Sequence, residues 1–181
     1  MRHPISLLLL CIASTTSFAA SRSMLKNGDF ETLNAREKPE HWAITQHAGV
    51  RAYEFRSDSE VKHGGKRSMM IRRTRPQVFG SIAQTVYDAG LVGATVRLDV
   101  WIRSEGVTNG HAVVRIDAAN GPSYMERAEA KISGDKDWHR VRVELEIPQY
   151  TNVLHTSISL EGDGTVWIDD AKFVVLKAAT K

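Results

Sequence analysis

Asp99 and Asp117 are the residues best suited by type and placement to covalent chemistry, since each sits on a short alternating run. Two carboxylates held about 5 to 10 Å apart across a cleft can act as acid and base on a glycosidic bond. Each also lies beside an arginine, Arg97 or Arg115, and an acid paired with arginine describes a salt-bridged sheet face equally well. Other catalytic constellations are missing. There is no HExxH, no GxSxG, no Gly-rich phosphate loop and no Cys/His zinc spacing. Non-covalent recognition fits the residues better. Trp101 stands among Arg97, Asp99 and Arg103 on the polar side of one strand. An aromatic face flanked by fixed polar groups suits a sugar, which presents flat C–H faces and hydroxyl edges. Arg115 and Asp117 are expected to face that ring from the neighbouring strand, Gln84 from another, and Tyr124 to close one end. The alternative is that Trp101 lies under a loop as a second small core.

The elements that must position these residues are strands. Val96, Leu98, Val100 and Ile102 alternate with Arg97, Asp99, Trp101 and Arg103, the period-2 pattern of a half-buried strand. Asn109-Gly110 is a strong turn signal. Val114 and Ile116 then point inward, with Arg115 and Asp117 outward. Residues 139–147 alternate cleanly up to Pro148. Residues 157–160 and 165–168 flank Glu161-Gly162-Asp163-Gly164, which is expected to be a hairpin turn. Residues 68–73, 81–86 and 171–176 complete the set, and 125–131 is open between a helical turn and a strand. Seven or more short strands predict an all-β antiparallel sandwich, in one domain over 20–181 with its core at about 24–176.

The N-terminus predicts export. A charged start, an apolar run from Leu7 to Ile12 and Ser17-Phe18-Ala19 describe a signal peptide over residues 1–19, so the protein is expected in a periplasm or outside the cell. The run is too short to span a bilayer. Its Cys11 is the only cysteine, so the mature chain has no disulfide. Lysine and arginine total 24 against 21 acids, interspersed and without the like-charge block of a nucleic-acid tail. This balance allows an anionic polysaccharide or a protein partner.

Three segments carry a resemblance. They are Asn27-Gly28-Asp29-Phe30-Glu31 with Pro39-Glu40-His41-Trp42, then Gly64-Gly65-Lys66-Arg67-Ser68, then Trp167-Ile168-Asp169-Asp170. In order and spacing they resemble the CenC-like carbohydrate-binding modules of the galactose-binding-domain-like jelly-roll group. The likeness covers about residues 24 to 176. It implies a jelly roll that binds carbohydrate on its concave face without catalysis. It also implies a structural calcium held by Glu31, Asp170 and the main-chain carbonyls of Asp29 and Lys66. Oxygen donors of this kind are what calcium takes, while a plain pairing of Glu31 with Lys66 or Arg67 is the other reading. Trp42, Trp138 and Trp167 read as packing residues. Fewer stacking rings and more arginines than a long glucan cleft needs favour a short or charged ligand. An extracellular interaction domain that keeps the fold without the sugar is the competing class.

Overall fold

The computed structural model describes residues 22–87, 89–120 and 124–179. The expected signal peptide with Cys11, the turn residues Gly121 and Pro122, and the side chain of Tyr124 lie outside the described residues. The elements are β1 (Ala43–Gln46), β2 (Tyr53–Asp58), β3 (Ser68–Arg73), β4 (Gly80–Val86), a three-residue 3-10 turn (Ala89–Leu91), β5 (Thr95–Asn120), β6 (Tyr124–Glu146), β7 (Val153–Leu160) and β8 (Thr165–Lys177). All pairs are antiparallel, and the described residues contain no α-helix. Among the described residues, no helix is long and apolar enough to cross a membrane.

The strands form two layers. The first is β2-β3-β8, the start of β5 and the end of β6; the second is β1-β4-β7, the end of β5 and the start of β6. Both long strands pass from one layer into the other. Val96, Leu98, Val100 and Ile102, with Phe173 beside Leu98 on β8, face Ala112, Val114, Ile116, Ile82 and Ile158 across the core, each fully buried as the alternation predicts. A one-residue slip of β5 would bring its four apolar side chains into water. That costs roughly 8 kcal/mol, comparable with the whole stability of a domain. Trp42 packs on Phe30, ring centroids 5.0 Å apart, and donates from Nε1 to the Asn27 carbonyl. This fixes the opening segment to the core.

Two expected turns do not form. Asn109-Gly110 lies within β5, where Asn109 (φ 52°), Gly110 (φ 150°) and Gly106 (φ 61°) bend the strand through register shifts between Ile102 and Ala112. A hairpin needs its two flanks to pair with each other. Here the flanks pair instead with β8 on one side of the bend and with β7 on the other. Residues 161–164 likewise carry the chain from β7 in the second layer to β8 in the first, and those strands do not pair. The two bends nest without side chains between them. A Cβ on Gly110 would lie 2.0 Å from the Glu161 carbonyl oxygen, and one on Gly164 would lie 2.5 Å from that of Glu105. The 125–131 stretch, open in sequence, is strand.

Candidate functional site

The outer face of the first layer carries Arg97, Asp99, Trp101 and Arg103, on the side of β5 opposite its buried residues. Trp101 is covered. The His63 ring stacks on it with centroids 3.9 Å apart and planes at 17°, and Trp138 meets the same imidazole edge-on at 5.7 Å. Trp138 therefore packs against a loop and not against the core. Asp99 is buried and gathers arginines: Arg97 Nε donates to it at 2.7 Å and Arg142 Nε at 3.0 Å. Arg103 pairs with Glu105 and lies 5.7 Å over the buried Trp167 ring. Of the two placements open for Trp101, the one beneath a loop is observed.

That loop, residues 59–67, is held by carboxylates from three segments. Asp58 accepts from the amides of Glu60 and Val61, Asp169 from those of His63 and Gly64, and Glu31 from those of Lys66 and Arg67. His63 Nδ1 meets Asp170 at 2.7 Å. Charged acceptors make strong hydrogen bonds to amides. Burial pushes the Asp58 carboxyl up, but Trp167, the two amides and Arg56 outweigh it and hold it below the ordinary range. Asp169 goes the other way. Its deeper burial and the charge of Asp170 raise it against the same kind of amide bonds.

Two of the expected calcium donors, Glu31 and Asp170, meet this loop. Glu31 and Asp170 reach the same two-glycine stretch: Gly65 lies against Glu31 Oε1 and Gly64 against Asp170 Oδ2. The Gly28 carbonyl accepts from Ala171 next to Asp170, so the Asn27–Glu31 segment also arrives there. Glu31 pairs with main-chain amides of Lys66 and Arg67 and not with their charged ends. Among the described residues, no three His, Cys, Asp or Glu side chains gather as a metal site. An ion here would therefore lean on carbonyl oxygens, as calcium does. Two acids, Glu31 and Asp170, reach the spot, so a cation would fit only if main-chain carbonyls completed its shell.

Arg115 and Asp117 do not face Trp101. They lie past the bend of β5, on the outer face of the second layer, and so on the other side of the sandwich. The expectation failed because it placed a hairpin at Asn109-Gly110. The Asp99–Asp117 carboxylate pair is consequently not formed. Gln84 has the parity of the buried Ile82, not of the outer face. Its carboxamide brackets the Lys26 backbone, accepting from the amide at 2.8 Å and donating to the carbonyl at 3.0 Å. The backbone of Tyr124 pairs with Asn120.

The second outer face is a grid. One row across four strands is Thr85, His155, Asp117 and Arg127; the next is Ala83, Ser157, Arg115 and Glu129; the third is Ser81, Ser159, Val113 and Lys131. Thr85 Oγ1 meets His155 Nδ1 at 3.0 Å, and Arg127 Nε donates to Asp117 at 2.6 Å. The Asp117 carboxylate raises the Arg127 pKa. Arg115 joins Glu129 at 2.8 Å and Glu161 at 3.4 Å, and Ser159 donates to Glu161. Glu161, from the segment between β7 and β8, thus accepts from both Arg115 and Ser159. The low floor of Ala83, Ser81, Ser157 and Ser159 lies beside taller charged side chains. Beyond the Thr85 row, Tyr87 is 81% exposed. His155, Ser157 and Thr85 were missed in sequence, although the alternation of residues 157–160 continued back to Val153 would have placed His155 and Ser157 outward.

No family model matches the chain. Solved structures share its fold. A CBM22-1 xylan-binding domain from Paenibacillus barcinonensis Xyn10C superposes with a TM-score of 0.60 at 14% identity, covering 88% of this chain and 95% of that one. TmCBM61, solved with β-1,4-galactotriose, gives 0.59 at 18% identity, covering 86% and 99%. The enzymatically active domain of bacteriophage CBA120 tailspike protein 4 gives 0.67 at 13% identity, over 85% of this chain but 21% of that one. A curated relative, the uncharacterized HTH-type transcriptional regulator YbfP of Bacillus subtilis strain 168, is 27% identical over 127 residues. The match takes in 67% of this chain, which spans only 43% of that protein. The present chain has no helix-turn-helix among its described residues. The fold is thus the β-sandwich jelly roll of carbohydrate-binding modules.

Proposed function

We propose that this protein is an exported, non-catalytic carbohydrate-binding domain of the CenC-like kind, and that its glycan lies on the outer face of the second layer. The supporting observation is the grid: hydroxyl, imidazole, carboxylate and guanidinium groups fixed by strand pairing at regular intervals above a floor of small side chains. Arg115 and Asp117 bind hydroxyls there, His155 and Ser157 fill the space between them, and Tyr87 offers a ring at one end. Binding and not hydrolysis is supported because Asp99 and Asp117 lie on opposite faces. Calcium, held by Glu31, Asp170 and the carbonyls of Asp29 and Lys66, ties the opening segment and the β2–β3 loop to β8.

A glycan-array screen of the mature chain beside Arg115→Ala and Asp117→Ala tests this. Loss of the bound glycan in both variants, with an unchanged melt, is expected. Full retention in both would remove the site. The competing class, an extracellular interaction domain without sugar, is favoured by the first outer face, where Trp101 is already occupied by His63 and Asp99 by arginines.

A further inference from the structure

The β-sheet path begins at β1 and ends at β2, and these two edges do not pair with each other. Between them lies a groove of about 1050 Å³, within which both edge strands contribute lining residues. Its edge strands adjoin the other two features, β1 pairing with β4 of the grid and β2 leading into the 59–67 loop, but its lining shares no residue with either. Its floor is apolar. Ile44 of β1 and Phe55 of β2 are partly buried against the core, and Val50 is 63% exposed beside them. Its rim is cationic, with Lys38, Arg51 and Arg75. The one acid in the lining, Glu54, is committed to Arg72 and Arg56. Among the described residues neither Arg51 nor Arg75 has an acidic partner, and Lys38 donates only to the neutral Phe55 carbonyl at 2.6 Å.

The cations are mounted on fixed backbone. Gln46 Oε1 accepts from the amides of Ala52 and Tyr53, while its Nε2 donates to the Val50 carbonyl. The Ala52 carbonyl accepts from the amides of both Thr74 and Arg75 and from the Thr74 hydroxyl. Arg51 and Arg75 therefore project from two strands of backbone pinned together at Ala52. Arginines within the strands are neutralised by acids, Arg115 and Arg127 by acids on the neighbouring strand and Arg97 by Asp99 on its own. Uncompensated guanidiniums beside an apolar floor suit a ligand with negative charge and flat C–H faces together.

We propose that this open seam is a second binding site, for an anionic oligosaccharide bearing carboxylates on its rings, such as a uronate chain. The ring faces lie on Phe55, Ile44 and Val50, and the carboxylates meet Arg51, Arg75 and Lys38. The sugar part of this assignment rests on the carbohydrate reading above; the location and charge do not.

Titration calorimetry with tetragalacturonate, and separately with xylotetraose and β-1,4-galactotriose as neutral probes, tests it in low salt. The mature chain is compared with an Arg51→Glu/Arg75→Glu double variant and an Arg115→Ala/Asp117→Ala double variant. The groove variant is expected to keep its melt and any neutral-glycan binding, and to lose tetragalacturonate by at least about tenfold. Wild-type affinity is expected to fall as salt is added. Undiminished tetragalacturonate binding in the groove variant, or no saturable binding to the wild type, overturns the site. Equal competition by hexaglutamate overturns its sugar specificity. Neutral-glycan binding lost only in the Arg115/Asp117 variant sustains the grid whatever the groove does. Tetragalacturonate lost only in the groove variant, with no neutral glycan bound anywhere, sustains the groove and sinks the grid.

Discussion

The outer faces of the two layers draw on the same inventory of arginines and carboxylates along one continuous strand, and spend it differently. On the first, Asp99 is buried among Arg97, Arg140 and Arg142, and Trp101 lies beneath His63. On the second, the charges form pairs along the rows of the sheet, Arg127 with Asp117 and Arg115 with Glu129, beside the partly exposed hydroxyl residues Thr85 and Ser157. A polar strand face is therefore not in itself a binding face. What decides is whether a loop arrives to use it, and here the loop is drawn in by carboxylates that cap its amides.

The largest expected effect bears on the first face. Trp101→Ala should destabilise the fold by about 3 kcal/mol, since it removes the partner of both His63 and, through it, Trp138. Thermal unfolding measures it, and an unchanged melt would erase the contrast between the faces. Calcium removal comes next. With the ion at a hundredfold excess over its Kd, chelation should cost about 2.7 kcal/mol, read as a drop in Tm. No shift on adding EDTA and then calcium would leave the first face held by hydrogen bonds alone. Smaller is the effect of Asp58→Asn, about 1 to 2 kcal/mol at neutral pH. Because the native carboxyl titrates below its unfolded value of 3.8, its contribution is complete above that pH and is lost as pH falls through the folded pKa. Urea unfolding at pH 7 and pH 3 should show the wild type and the variant converging in acid; a constant gap would refute the assignment. Smallest is Asp117→Ala on the second face, at most about 0.5 kcal/mol in stability because its arginine partner is 43% exposed in its side chain. A loss comparable with Trp101→Ala would mean that the second face is structural too.

The layered β architecture was legible in the sequence because one side of each strand is buried, and burial writes itself as alternation. Val96 to Ile102 could point only one way. The faces were harder. Asn109-Gly110 has the composition of a tight turn, but the same positive φ angles serve a bend, and the difference lies in which strands pair with the flanks. Reading a hairpin there put Arg115 and Asp117 beside Trp101; a straight passage into the other layer puts them behind it. The same uncertainty hid the crossing at residues 161–164. Gln84 was misplaced for a simpler reason, since its parity with Ile82 already turned it from the outer face. His63 over Trp101 could not be read at all, because a loop's path is set by distant acceptors such as Asp169 and Glu31.

The two long strands that belong to both layers have a consequence for how the chain comes apart. Neither layer closes its hydrogen-bond ladder without β5 and β6, so neither can persist alone as an unfolding intermediate. Amide exchange in the two halves of β5 should therefore share one protection free energy, that of the global transition, while the free edges at β1 and β2 exchange faster. Assembly must also wait for contacts between segments far apart in the chain, such as the opening Asn27–Glu31 stretch docked on β8 through Gly28 and Ala171. Slow, all-or-none folding follows from that wiring.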